Sequence, residues 1–311
     1  MLKVFKWIGI SLGILVGLLL LVGGGLYVSA GVRMSRTHEV QPEDVIIPSD
    51  PASVQLGEHW TSILCTECHG ENLAGTVMFE DPAIGRITAS NLTAGQGGIG
   101  GTYTDADWVR AIRHGIGAER KALFVMPSEN YYYFSDHDLG AIVAYLKSLP
   151  PVDNEPGEIS VTAMARLLVA AGVFPNPFAA ERIDHSAPRS SAPEPAVNAE
   201  YGQYLALVFG CQGCHGSDLS GGQHPDPNGP PVPNITTGGA LAGWSEADFL
   251  TAVRTRKSEW MPWESLNKMA DGELKALYMR ARTNTGAHTG AHTGAHTDAD
   301  LATNGDTGAA S

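Results

Sequence analysis

Four cysteines in a chain of 311 residues leave little for a disulfide framework, and none is left over once they are grouped as Cys65 with Cys68 and Cys211 with Cys214. Scattered disulfide partners or a lone nucleophilic thiol would not sort this way. Basic clusters are also missing. Twenty Lys and Arg against 33 Asp and Glu give a formal charge of −13, which argues against nucleic acid and suits solubility and basic partners. No segment shows convincing period-two alternation, so strands are not expected. An apolar run long enough to cross a bilayer occurs at the N-terminus, whereas the stretch from Val161 to Val173 is too short.

Lys3 and Lys6 precede an uncharged run from Ile8 to Ala30, which as a helix reaches roughly 34 Å at 1.5 Å per residue. Secretory apolar regions usually run only about 7 to 15 residues, so residues 1–30 read as an uncleaved anchor. A signal segment ending at Val28-Ser29-Ala30 is the competing reading. Flanking charge does not orient the helix, since Lys3 and Lys6 face Arg33 and Arg36. Gly9, Gly13 and Gly17 share one face and permit close helix contact, although Gly is common in membrane helices in any case.

Internal repetition organises the rest. Cys65-Thr-Glu-Cys68-His69-Gly70 continues to Leu73 and Gly75, and Cys211-Gln-Gly-Cys214-His215-Gly216 continues to Leu219 and Gly221. Ser90-Asn91-Leu92-Thr93 answers Pro233-Asn234-Ile235-Thr236, Tyr103–Arg113 answers Trp244–Arg254, and Met126-Pro127 answers Met261-Pro262. Each copy closes on a helical pattern, Asp136 to Leu149 and Asp271 to Arg282. Thr104 and Ser245 stand at N-cap positions before acidic first turns. Two small, helical, loop-rich modules follow, at residues 53–152 and 199–282. Residues 153–198 form a Pro- and Ala-rich linker with a short apolar helix that packs against the first module. Residues 283–311 read as a disordered His-, Gly- and Thr-rich tail in which His288, His292 and His296 could catch a metal.

Cys, Cys and His at i, i+3 and i+4 lie on one helical turn and share a face. That set suits covalent attachment of a haem by two thioethers with the imidazole beneath its iron. Zinc is the alternative for paired CxxC motifs, but the roughly 140 residues between them far exceed the usual spacer of about 15 to 20 and leave each His unexplained. Haem would also replace much of the core that modules of this size lack. The reading is therefore two covalently bound haem c groups, at Cys65, Cys68 and His69 and at Cys211, Cys214 and His215. The sixth ligand is open. Met126, Met78, His114 and His137 compete at the first iron, and Met261, Met269 and Met279 at the second. Equivalence across the repeat favours Met126 and Met261, leaving Met78, Met269 and Met279 as core residues and His114 as a solvated helix end. Trp108 and Trp244, and Tyr145 and Tyr278, read as helix packing that shields haem. Arg113 and Arg254 are candidates to sit near a propionate, and Asn91 and Asn234 either bond near the haem edge or form Asx turns.

With CxxCHG, SNLT or PNIT, and Met-Pro before a closing helix, both modules resemble class I cytochrome c domains. More narrowly, they are similar to the tandem domains in cytochrome subunits of membrane-bound alcohol, aldehyde and sugar dehydrogenases. The resemblance covers residues from about 53 to 150 and 199 to 282. It implies an all-α fold of two tandem small cytochrome c domains behind an N-terminal transmembrane helix, with His69 and Met126 on one iron and His215 and Met261 on the other. Such subunits typically carry three haem motifs, and this chain has two. The expected role is a non-enzymatic electron relay in the respiratory chain, between a donor (dehydrogenase or quinol-oxidising complex) and an acceptor (oxidase or another cytochrome). Because c-type haem is attached outside the cytoplasmic membrane in bacteria, the haem domains are expected in the periplasm. The rival is an enzyme, a dihaem cytochrome c peroxidase, in which one iron keeps an open position.

Overall fold

The computed structural model describes residues 2–173, 176–188, 191–226, 228–258 and 260–283. The histidines of the C-terminal tail lie outside the described residues. Helix α1, Leu2–Ser35, continues five residues past Ala30. Its apolar side chains, such as Leu20 and Leu21, have more than two-thirds of their surface exposed. Those exposed faces, a mean hydropathy of 2.3 and the helix length make it a candidate membrane anchor.

The first half of the remainder holds α2 (Pro51–Leu64), α3 (Thr66–His69), strands β1 (Thr76–Asp81) and β2 (Gly85–Ala89), α4 (Asp105–His114), α5 (Ser128–Tyr131) and α6 (Asp136–Ser148). Strand β3 (Ser160–Val161) and α7 (Ala163–Ala170) follow. The second half holds α8 (Ala199–Val208), α9 (Cys211–His215), α10 (Glu246–Thr255), α11 (Trp263–Asn267) and α12 (Asp271–Thr283). Local chemistry sets the starts. Thr104 and Ser245 each cap a helix and form full capping boxes with Asp107 and Asp248, satisfying amides that the first turn would leave unpaired.

In each half the first helix packs on the closing helix at a glycine. A Cβ on Gly57 of α2 would lie 2.0 Å from the Ala141 carbonyl oxygen of α6, and one on Gly202 of α8 would lie 2.0 Å from that of Ala276 in α12. The same close crossing is thus built twice. Between the halves the apolar core is continuous, running from Trp60, Leu139 and Val143 to Tyr204, Leu205 and Leu274.

The fold is not wholly helical. β1, β2 and β3 form an antiparallel sheet in that order. The pairing shifts register between Val77 and Phe79, and Val77, Met78 and Phe79 are all exposed. The hairpin therefore lacks the alternation that marks a half-buried strand. The apolar helix of the linker is also shorter than expected, because Val161 joins the sheet and Thr162 caps α7. α7 packs on α1, with the Arg166 guanidinium over the Tyr27 ring, whereas β3, Phe178 and His185 join the linker to the first half.

Candidate functional site

α2 ends at Leu64, and Cys65 breaks the helix before α3 carries Thr66, Glu67, Cys68 and His69. A cavity opens beside this turn. Cys65, His69, Trp108, Met126, Tyr131 and Phe134 line it, and it encloses roughly 640 Å³ of atom-free space, part of it open to solvent. His69 and Met126 are thereby brought onto the walls of one apolar space.

The His69 ring is fixed by its Nδ1, which lies 2.8 Å from the Ser90 carbonyl oxygen. A backbone carbonyl can only accept, so Nδ1 carries the proton and Nε2 keeps its lone pair. Burial lowers the His69 pKa, outweighing the opposing effect of this hydrogen bond, so the imidazole is neutral and fit to bind a metal. In the second half His215 repeats the arrangement, with Nδ1 3.0 Å from the Pro233 carbonyl oxygen and its pKa lowered by burial. Burial pushes the Cys65 thiol up to about 12 and the Cys211 thiol up to about 11, and all four cysteines are unpaired. Met261 precedes α11 and packs against the shared core.

These residues fit an iron porphyrin. Two thiols and a neutral imidazole stand on one turn, and Met126 lines the same cavity. On the cavity wall the buried Nε1 of Trp108 has no partner among the described residues, a donor suited to an acidic group of a cofactor. Tyr131, buried in the wall, is held by its hydroxyl donating to the Leu64 carbonyl oxygen at 2.9 Å.

Of the rival ligands at the first site, none lines this cavity. Met78 sits on the exposed hairpin rather than in the core. His114 is not a solvated helix end: it is buried, with Nδ1 3.0 Å from His185 Nδ1 and Nε2 3.2 Å from Glu43. His137 projects outward beside Asp138. Met269 is core, whereas Met279 is 38% exposed on α12.

Arg113 is fully buried, donating to the Phe134 carbonyl oxygen at 2.8 Å and pairing with Asp136 at 3.0 Å and Glu43 at 3.3 Å. Arg254 likewise donates to the Met269 carbonyl oxygen at 2.7 Å and to Asp271 at 2.8 Å. Each arginine thus ties α4 or α10 to the start of the closing helix, and those contacts engage the guanidinium groups that were candidates to sit near a propionate. Asn91 and Asn234 form Asx turns, accepting from the amide and hydroxyl of Thr93 and Thr236 respectively. The aromatic pairing also changes: counted from the N-caps, Phe249 occupies the place of Trp108 and Trp244 that of Tyr103. Tyr145 packs its Cβ toward Gly57, a role taken in the second half by Arg280 toward Gly202. Tyr278 instead donates to the Trp244 carbonyl oxygen. The role of the Ser90 and Pro233 carbonyls was signalled by the SN/PN repeat, but a backbone acceptor carries no side-chain mark.

Residues 52–146 match the family described as cytochrome C oxidase, cbb3-type, subunit III. The chain is 24% identical over 249 residues to the cytochrome c subunit of the quinone alcohol dehydrogenase of Gluconacetobacter polyoxogenes, covering 73% of this chain and 51% of that protein. It is 32% identical over 162 residues to the cytochrome c subunit of gluconate 2-dehydrogenase of Pantoea cypripedii, covering 49% and 35%. Over 96 residues it is 33% identical to the cytochrome subunit of fructose dehydrogenase of Gluconobacter japonicus. The chain spans about half the length of the alcohol dehydrogenase subunit and less of the other two.

Proposed function

Because residues 52–146 form a cytochrome c domain, we propose that this chain holds two covalent haem c groups, at Cys65, Cys68 and His69 and at Cys211, Cys214 and His215, and relays single electrons between them. Haem iron supplies the ferrous/ferric couple. The chain's own residues do the rest. The carbonyl oxygens of Ser90 and Pro233 hold the two imidazoles by Nδ1, leaving each Nε2 as the atom that would bind iron. Met126 and Met261 would supply the remaining ligand to each iron, which would raise the potential and leave no position open to substrates. The Trp108 indole N–H takes an acidic group of the first porphyrin. Apolar walls exclude water.

The observation that carries this reading is the meeting of Cys65, His69 and Met126 around one apolar cavity. Matching Met-Pro pairs in both halves, Met126-Pro127 and Met261-Pro262, speak against a peroxidase, which keeps one iron open. With α1 as an anchor, the haem domains stand in the periplasm at the inner membrane. The donor is a dehydrogenase of the kind named among the relatives or a quinol-oxidising complex, and the acceptor an oxidase or another cytochrome. The test is a redox titration followed by absorption. Two low-spin one-electron centres without peroxide turnover are expected; a high-spin centre that consumes peroxide would overturn the relay.

A further inference from the structure

The two halves meet in a contact made twice. His59 lies two residues after Gly57 and places Nε2 2.8 Å from Glu273 Oε1. Tyr204 lies two residues after Gly202 and donates its hydroxyl to Asp138. Asp138 and Glu273 are each the third residue of their closing helices. Each half thus reaches from its first helix to the other's last, around a local pseudo-twofold. Burial keeps the Tyr204 proton in place by raising its pKa, the nearby Asp138 adding to the effect. Between the two contacts the Trp60 ring packs edge-on to Tyr204 and 6.0 Å from Phe209.

The same symmetry brings the helix after each Met-Pro pair onto the other half's first helix, α11 on α2 and α5 on α8. There the contact reaches the attachment motifs. Lys268, which ends α11, donates to the Ser62 carbonyl oxygen at 3.0 Å and to Thr66 Oγ1 at 3.0 Å, and lies 3.3 Å from Glu71 Oε1. Ser265 of α11 donates to Glu67 at 3.2 Å. Thr66 and Glu67 are the two residues between Cys65 and Cys68. On the other side Asn130 of α5 lies against Gly210, next to Cys211, so closely that a Cβ there would meet Nδ2 at 2.2 Å.

We infer that Lys268, supported by the His59–Glu273 and Tyr204–Asp138 pairs, is a positioning residue that holds the attachment turn of one haem site against the Met261 helix of the other and so sets the gap that electrons cross between them. The inference rests on the two-haem reading above. In each crossing one electron leaves a ferrous iron at one site, which becomes ferric, and enters the ferric iron at the other, which becomes ferrous; no bond forms or breaks. Lys268 neither binds nor reduces anything. It fixes a distance, held there by the Ser62 carbonyl, Thr66 Oγ1 and the charge of Glu71.

The test uses the full-length, haem-loaded protein in detergent. The rate of electron equilibration between the haems after flash reduction is measured beside amide exchange in α2 and α11, for wild type, Lys268→Glu, Lys268→Arg and the milder Glu273→Gln. Lys268→Glu sets a second carboxylate against Glu71 and is expected to slow equilibration several-fold, because electron transfer between fixed centres falls off steeply with their separation. Exchange at the junction should rise while each haem's absorption spectrum stays unchanged. Lys268→Arg should restore the rate and Glu273→Gln lower it partially. A wild-type rate in Lys268→Glu overturns the inference, whether or not exchange rises. A wild-type protein with one haem overturns the functional reading, and the inference with it.

Discussion

Met126 and Arg113 stand thirteen residues apart and do opposite kinds of work, one facing the cavity and the other locked behind it. Met126→Ala should leave the first haem attached through Cys65 and Cys68 but without its thioether, so the absorption spectrum shifts to a water-ligated or five-coordinate form and the potential falls. An unchanged spectrum would assign the sixth ligand elsewhere, and not to His114, whose two ring nitrogens already face His185 and Glu43. Arg113→Ala leaves Asp136, Glu43 and the Phe134 carbonyl without their buried partner and should cost about 3 kcal/mol by denaturant unfolding. Arg254→Ala, whose partner Asp271 is 67% exposed, should cost only about 1 kcal/mol. Equal losses would contradict the difference in burial. The repeat made both arginines visible in the sequence, yet not their role. A guanidinium near a haem motif suggests a propionate, and only the packed closing helix reveals the carbonyls that claim it first.

Elements were legible wherever the signal is local. Thr104 and Ser245, each three residues before an aspartate, marked the starts of α4 and α10, and the spacing of apolar residues marked α6 and α12. The β1–β2 hairpin was not legible, because its exposed apolar residues and irregular register erase the period of two. Neither was the tight crossing of α2 on α6, since a glycine inside a helix reads as a weakness until its neighbour is known. Gly57→Ala should therefore destabilise the first half by about 1 to 3 kcal/mol, as overpacking against a backbone carbonyl does, rather than stabilise the helix as an exposed Gly→Ala change would. Thermal unfolding decides between the signs. For α1, alkaline extraction of membranes should retain the full-length protein; release into the supernatant would mean that the helix does not anchor it.

Across the whole molecule the two halves behave as one body joined through Trp60, Tyr204 and the paired polar contacts. His59 adds a pH dependence. Its hydrogen bond to Glu273 raises its pKa above the ordinary 6.5, more than burial lowers it. The folded state thus holds a proton that the unfolded chain releases, and the contribution is fully present below pH 6.5 and fades as pH rises through the raised value. The stability difference between wild type and Glu273→Gln should accordingly be largest in acid and shrink toward alkaline pH; a difference that grows with pH would contradict the pairing. The internal repeat was plain from the sequence. That the two halves dock with each first helix against the other's closing helix was not, because no spacing rule connects His59 to a residue 214 positions away.

The proposed covalent attachment at both cysteine pairs underlies the functional reading, and the mass of the intact protein, made in a cell equipped for haem ligation, measures it directly. A mass equal to the polypeptide plus two haem groups is expected. A mass equal to the polypeptide alone, or to the polypeptide with one group, would contradict it.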